Sequence, residues 1–354
     1  MIVGIDGRSL VGGQAGRGVA RYTGALTAAL AAAHPADEWR VLLPGDPRPL
    51  PELDDRPGVE LVRRRSRRAR HLAGALTGRP RLDRALGGVD VAWAPAPAPL
   101  ALSSRVPLVL TVHDLSFVER PRDFTRYERL WHRLARVGPL ARRAARVLAD
   151  TRATADAAIA RWGLDPDRVT VVFPGVDRPR AVQPRDGRYL LFVGALEPRK
   201  APDVLAGAYR RARERGLDAE LVVVGTGRLA DALDLPGVRR LDAVPDLQPL
   251  YAGALALVMP SRYEGFGLPP LEAAAHGTPA VVSDLPCFAE TLGDAALRVP
   301  VGDTDALADA LVRIAGDEGL RERLAAAAAA AVADLTWERA AERVYATLRE
   351  AAGS

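Results

Sequence analysis

Two carboxylates stand eight positions apart around a glycine-rich turn in Pro260-Ser261-Arg262-Tyr263-Glu264-Gly265-Phe266-Gly267-Leu268-Pro269-Pro270-Leu271-Glu272-Ala273. Gly265 and Gly267 carry no Cβ, so the backbone there can approach a ligand closely. Pro269 and Pro270 suit the first turn of a helix, where an N–H has no intrahelical partner. A helix beginning at Leu268 offers anion-binding N–H groups and the positive end of its dipole. Glu272 then falls roughly 6 Å along the axis from Leu268, at about 1.5 Å per residue. This layout suits a ligand with an anionic middle and hydroxyls at both ends, as in a nucleoside diphosphate sugar.

The positive charge points the same way. Of the 49 lysines and arginines, a single one is lysine, Lys200. It ends Phe192-Val193-Gly194-Ala195-Leu196-Glu197-Pro198-Arg199-Lys200, just past an apolar stretch that reads as a strand. An ammonium is a compact point charge and a guanidinium a planar fork, so the two are different phosphate ligands. The end of a strand in an α/β sheet is also where ligands bind.

These side chains need a scaffold, and 354 residues suffice for two ordinary domains. A hydrophobic fraction of 48% with 26% charged residues is that of a globular protein, and no run of about 18 apolar residues exists to span a bilayer. The chain opens directly on strand-like Met1-Ile2-Val3-Gly4-Ile5-Asp6 with no signal pattern, so a cytoplasmic location is expected. One cysteine, Cys287, excludes an intramolecular disulfide and a multi-cysteine metal site.

Short apolar runs alternate with helical periods along the whole length, which means an α/β protein with parallel sheets. Ile2–Asp6, Arg40–Leu43, Val89–Trp93, Leu108–Val112, Val147–Ala149 and Val169–Phe173 read as the first series of strands. A second series runs from Tyr189–Val193 through Leu221–Val224, Val238–Leu241, Leu255–Met259 and Ala280–Val282 to Leu297–Val299. Helices are expected over Val19–Ala33, Tyr127–Ala145, Thr154–Trp162, the alanine stretch Ala325–Ala333, and Trp337–Leu348 with Thr336 as its N-cap. Two series imply two doubly wound domains, of residues 1–180 and 181–336, joined through the proline- and charge-rich segment 175–187.

The motifs resemble glycosyltransferase family 4. Glu264 to Ala273, followed by Gly277-Thr278-Pro279-Ala280-Val281-Val282, is similar to the family's glutamate-x7-glutamate block. Val193 to Lys200 resembles its diphosphate-binding strand end, and Val112-His113-Asp114-Leu115 its N-domain histidine segment. Gly18-Val19-Ala20-Arg21-Tyr22-Thr23 resembles its first glycine loop, and Pro174-Gly175-Val176-Asp177 the close of its N-domain. The resemblance implies the GT-B fold: two Rossmann-like domains facing across a cleft, with the helix from 337 to 354 crossing back to the N-domain.

It also implies roles. Glu272 would bind the ribose hydroxyls, while Glu264 and the N–H groups of Gly265, Phe266 and Gly267 would face the transferred sugar. Arg199, Lys200 and the helix start at Leu268 would neutralise the departing diphosphate. His113 would reach the donor sugar or its phosphate, and Gly16 and Gly18 would let the N-domain backbone close over the reacting bond. Many members carry an arginine where this chain has Ala195, so Arg199 is expected to replace that contact. The reaction implied is a metal- and cofactor-free transfer with retention of configuration, with GDP-mannose as the favoured donor and UDP- or dTDP-sugars as alternatives. The acceptor would be lipid-linked, a polysaccharide or a natural product.

Other readings compete. Between Arg56 and Arg84 ten arginines meet only Glu60 and Asp83, with the densest run at Arg63–Arg70. That patch could face anionic lipid at the inner membrane surface, an acidic acceptor or nucleic acid, or be a solvated loop. Without interleaved aromatics it does not suit single-stranded nucleic acid, and none is expected as a partner. Glu264 and Glu272 as a glycosidase pair would leave Arg199 and Lys200 without a role. A nucleotide-sugar epimerase of the same fold would act on donor alone. Val224-Gly225-Thr226-Gly227 followed by Asp242 is a weak dinucleotide fingerprint lacking its third glycine. Asp165-Pro166-Asp167 and Asp303-Thr304-Asp305 read as turn and cap residues rather than metal ligands.

Overall fold

The structure is a computed structural model that describes residues 1–11, 18–45, 49–64, 81–185 and 188–353. The chain divides into two compact units. One comprises Met1–Gly175 with Leu335–Ser354, the other Val176–Asp334.

In the first unit seven strands form one parallel sheet in the order β3-β2-β1-β4-β5-β6-β7. They are β1 (Ile2–Asp6), β2 (Glu38–Pro44), β3 (Val59–Arg64), β4 (Val91–Ala94), β5 (Leu108–Val112), β6 (Arg146–Ala149) and β7 (Val169–Val171). The central strands β4 and β5 are buried along their whole length, as expected of parallel strands covered by helices on both faces. Trp39 and Trp93 are fully buried, and the Trp93 indole donates to Thr111 Oγ1 at 3.0 Å, so its N–H is satisfied inside the core.

The helix Trp337–Ala352 belongs to this unit. Thr336 caps it, accepting from the Arg339 N–H at 3.2 Å. It seats Ala340, Ala341, Val344, Leu348 and Ala351 in the same core as Leu26, Leu30 and Trp39. Its entry requires glycine at position 175, where a Cβ would lie 2.4 Å from the Trp337 nitrogen.

Six strands form the sheet of the second unit: β8 (Tyr189–Val193), β9 (Glu220–Val224), β10 (Val238–Leu241), β11 (Ala256–Met259), β12 (Ala280–Ser283) and β13 (Ala296–Val299). They too are all parallel, in the order β10-β9-β8-β11-β12-β13. In both sheets chain order reverses direction once, between β1 and β4 and between β8 and β11. Crevices outside the carboxyl ends of strands open at such a reversal.

Two expectations need correction. Residues 127–145 do not form one helix but two, Arg126–Ala135 and Val137–Arg143. Arg136 between them turns to φ +48°. A continuous helix would drive the Pro139 ring against the carbonyl of Ala135. The second correction is β3, which arises within the arginine-rich region. Arg63 at its end pairs with Asp54 at 3.2 Å and Arg64 donates to the Ala85 carbonyl. The rest of that arginine run, 65–70, lies outside the described residues. Among the described residues no helix is long and apolar enough to cross a membrane.

Candidate functional site

The reversal point of the second sheet gathers the side chains singled out by type. After β8 the chain passes Gly194 and Leu196, makes a short 3-10 turn over Pro198–Lys200, and starts the helix Pro202–Glu214. Ala201 joins the two at φ +54°, a conformation that costs a non-glycine residue roughly 1–2 kcal/mol. That turn buries Lys200, which retains only 8% exposure. After β11 the segment Pro260–Gly267 leads into the helix Leu268–Ala275.

The two segments meet through Glu264. Its Oε1 accepts from the Lys200 ammonium and from Ser261 Oγ at 2.6 Å, and Arg199 approaches Oε2 at 3.8 Å. A buried ammonium without a counterion would be very costly, so Lys200 and Glu264 hold one another in place. Arg262 ties the loop down further. Its N–H donates to the Arg199 carbonyl at 2.7 Å, and its guanidinium grips Asp203 with two bonds of 2.9 and 2.6 Å. Arg199 and Lys200 are thereby fixed from both sides.

Gly267 has φ +83°, and a Cβ there would lie 2.3 Å from the buried Phe288 ring, so no other residue fits. The Phe266 side chain is buried, leaving only its backbone to serve a ligand. Pro269 and Pro270 have no N–H. The expected row of donors at this helix start is therefore narrower than the sequence suggests, and Leu268 supplies the N–H of the first turn ahead of them. Glu272 is buried one turn further in and accepts a 2.6 Å hydrogen bond from the Tyr251 hydroxyl.

The loops after β8, β9 and β10 are laced together. Gly194 N–H donates to the Val224 carbonyl, Leu196 N–H to Thr226, and Gly225 N–H to Leu241, at 2.8–3.0 Å. Gly225 and Gly227 allow this contact, because a Cβ would meet the Gly194 oxygen at 2.0 Å or the Leu196 oxygen at 2.4 Å. Loop packing thus accounts for these glycines without any dinucleotide. Both Asp-x-Asp pairs cap backbone: Asp165 accepts from Asp167 N–H, and Asp303 from Asp305 and Ala306 N–H.

His113 and Gly18 belong to the other unit, and Gly16 lies outside the described residues. His113 follows β5. Its Nδ1 lies 2.7 Å from Asp150 Oδ2, and its Nε2 lies 2.7 Å from the Pro95 carbonyl. A carbonyl only accepts, so Nε2 carries a proton and donates. Burial pulls the imidazole pKa down, but the Asp150 carboxylate outweighs it and leaves the value raised. Burial in turn raises Asp150. Both ring nitrogens are thus engaged by hydrogen bonds, and the Tyr22 ring stands edge-on at 4.8 Å.

Two family models describe this chain: "Glycosyltransferase Family 4" matches residues 16–180 and "Glycosyl transferases group 1" residues 187–317. A D-inositol 3-phosphate glycosyltransferase of Paenarthrobacter aurescens is 31% identical over 298 residues, covering 73% of this chain and 71% of the relative. The chain belongs to glycosyltransferase family 4. The enzyme of the same name from Actinosynnema mirum is 36% identical over 243 residues, and the match spans only 57% of that relative's length. Among solved structures, HepE from Anabaena in complex with UDP and glucose superposes with a TM-score of 0.74 at 18% identity, covering 99% of both chains. WaaG, a glycosyltransferase involved in lipopolysaccharide biosynthesis, gives 0.69 at 17% identity, over 98% of this chain and 99% of its own. Both likenesses establish that this family 4 chain has the GT-B type of fold.

Within each unit of this family 4 chain, some partners of the singled-out residues lay beyond sequence reasoning. Ser261 sits inside the motif without a recognisable role, and Tyr251 and Asp150 have no motif around them. They act through partners 21 and 37 positions away, and no local spacing reports such a distance.

Proposed function

We propose that the chain transfers a sugar from a nucleoside diphosphate sugar to an acceptor hydroxyl, without a metal and with retention at the anomeric carbon. The observation that carries this reading is the chain's single lysine, buried beside Arg199 at the reversal point of the second sheet and held there by Glu264. As the bond from anomeric carbon to phosphate oxygen breaks, negative charge grows on the diphosphate. Fixed cations aimed at that charge lower the barrier. The acceptor oxygen bonds to the anomeric carbon and its proton leaves with the diphosphate, so no side-chain nucleophile is required. Glu272 would take the ribose hydroxyls, and the Gly265–Leu268 backbone the sugar and phosphates.

Two donor readings remain in play. The motif resemblance favours GDP-mannose, whereas the likeness to HepE, crystallised with UDP and with UDP-glucose, supports a UDP-hexose. The relatives' names make an inositol phosphate a candidate acceptor beside lipid-linked, polysaccharide and natural-product hydroxyls. Calorimetric titration with GDP, UDP, dTDP and ADP in the presence of chelator tests the reading. One nucleotide should bind, with binding lost in Glu272→Ala; binding of none, or binding only on adding a divalent cation, would refute it.

The Tyr251 hydroxyl donates to Glu272 Oε2 and so orients the carboxylate that would take the ribose hydroxyls. In the same titration Tyr251→Phe should weaken nucleotide binding about tenfold, the size expected for one hydrogen bond to a charged group. Unchanged affinity would mean that Glu272 is positioned without it.

A further inference from the structure

The helix Arg126–Ala135 of the first unit carries an exposed face that contains none of the residues assigned to the donor. Among the described residues, Tyr127 and Leu130 are two of three large hydrophobic side chains left widely exposed, at 57% and 52%. At 3.6 residues per turn they lie on one side of this helix, flanked by the half-buried Leu134 and Trp131. Arg126, Arg129 and Arg133 line the adjoining side, all exposed. None of these three arginines makes an ion pair with a described residue, whereas Arg40, Arg211, Arg215 and Arg262 each do.

The rest of the helix explains why this face stays outward. Glu128, its sole acid, is folded back into a capping box with Thr125, whose N–H and Oγ1 both donate to Glu128 at 2.8 Å. His132 is held between the Phe117 and Phe124 rings at 5.0 and 4.9 Å, and Ala135 is buried. The outward surface of the helix therefore has apolar side chains, arginines and no carboxylate. Arg122 and Arg136, one at each end, are exposed as well.

We propose that this helix lies in the interface of an anionic lipid bilayer, with Tyr127, Leu130, Leu134 and Trp131 at the acyl boundary and Arg126, Arg129 and Arg133 against the headgroups. The charge pattern fits an anionic leaflet, and the aliphatic side chains fit its acyl boundary. A nucleic-acid backbone would use the arginines but not Leu130 or Leu134. At ten residues the helix can rest on a membrane but not cross one. The proposal is independent of the donor site, since every residue it uses lies in the first unit.

Co-sedimentation of the full chain with vesicles tests it. Vesicles of phosphatidylcholine alone and of phosphatidylcholine mixed with phosphatidylglycerol are compared at low and high salt. The parent protein should bind the anionic vesicles, and bind them less as salt rises. Arg129→Glu with Arg133→Glu, and separately Tyr127→Ser with Leu130→Ser, should each weaken binding at least about tenfold. All four positions are exposed, so melting temperatures should stay unchanged. No binding at low salt would overturn the proposal, as would equal binding by parent and both variants. Salt-sensitive binding of a DNA duplex, lost in the arginine variant but kept in the Tyr127/Leu130 variant, would reassign the face to nucleic acid.

Discussion

Lys200→Ala should lower kcat about a hundredfold to a thousandfold, the loss typical when one fixed charge-stabilising group is removed from a reaction centre. The variant lacks the cation proposed to meet the departing diphosphate, and it leaves the Glu264 carboxylate with Ser261 and a 3.8 Å approach from Arg199. Lys200→Arg should not rescue it. A planar fork cannot occupy the enclosed position of a compact ammonium without displacing the turn around it. Steady-state kinetics separates the two contributions. If Lys200 serves only to neutralise Glu264, Lys200→Met with Glu264→Gln should restore kcat to that of Glu264→Gln alone, as well as stability. If it serves the leaving group, the double variant should melt near the parent yet remain much slower than Glu264→Gln alone, which reports what the carboxylate itself contributes. A double variant as fast as Glu264→Gln alone would refute the role assigned to Lys200.

The second large effect falls on a glycine that lets two loops pack together. Gly225→Ala places a Cβ 2.0 Å from the Gly194 carbonyl oxygen, at a φ of +140° that side chains rarely adopt. Gly216 provides the comparison, because its φ is +92° but nothing lies within 4 Å of its added Cβ. Gly216→Ala should therefore cost only the backbone term, about 1 kcal/mol. Gly225→Ala should cost about 3 kcal/mol or more, with steric overlap against main chain added to that term. Hydrogen exchange at the amides of β8 and β9 reads these losses within the second unit without assuming that the whole chain unfolds in one step. Nucleotide affinity should fall in step, because the loop displaced by the Cβ is the one that runs on to Arg199 and Lys200. Equal protection in the two variants would show that the loops have room to part.

Those glycines mark where the sequence was readable and where it was not. Parallel strands buried on both faces leave apolar runs such as Leu108–Val112 and Tyr189–Val193, so their existence and positions along the chain could be read directly. Strand β3 left no such run. Val59–Arg64 is an edge strand with little burial and arginines at its end, and pairing with β2 rather than composition makes it a strand. The break at Arg136 was hidden in the same way, since Pro139 acts on a carbonyl four residues earlier. In the candidate site, residue types and turn chemistry marked Lys200, Glu264, Gly267 and Glu272. Which partner each takes depends on the sheet order bringing β8 beside β11, and no local pattern contains that. His113 makes the same point: the resemblance implies a donor contact for it, and its Asp150 and Pro95 partners come from the ends of β6 and β4, which no local pattern shows.

The helix Trp337–Ala352 completes a core whose other walls come from the first 175 residues, with the whole second unit encoded between. During synthesis, that first unit leaves the ribosome early but lacks one wall until the second has been made. Trp39, Leu26 and their neighbours then wait part-covered while a complete β8–β13 sheet can already form. The order of emergence and the order of completion are thus opposite. A released chain ending at Asp334 should present a protease-resistant second unit beside a cleavable first one, and chaperones that bind exposed apolar surface would meet it there.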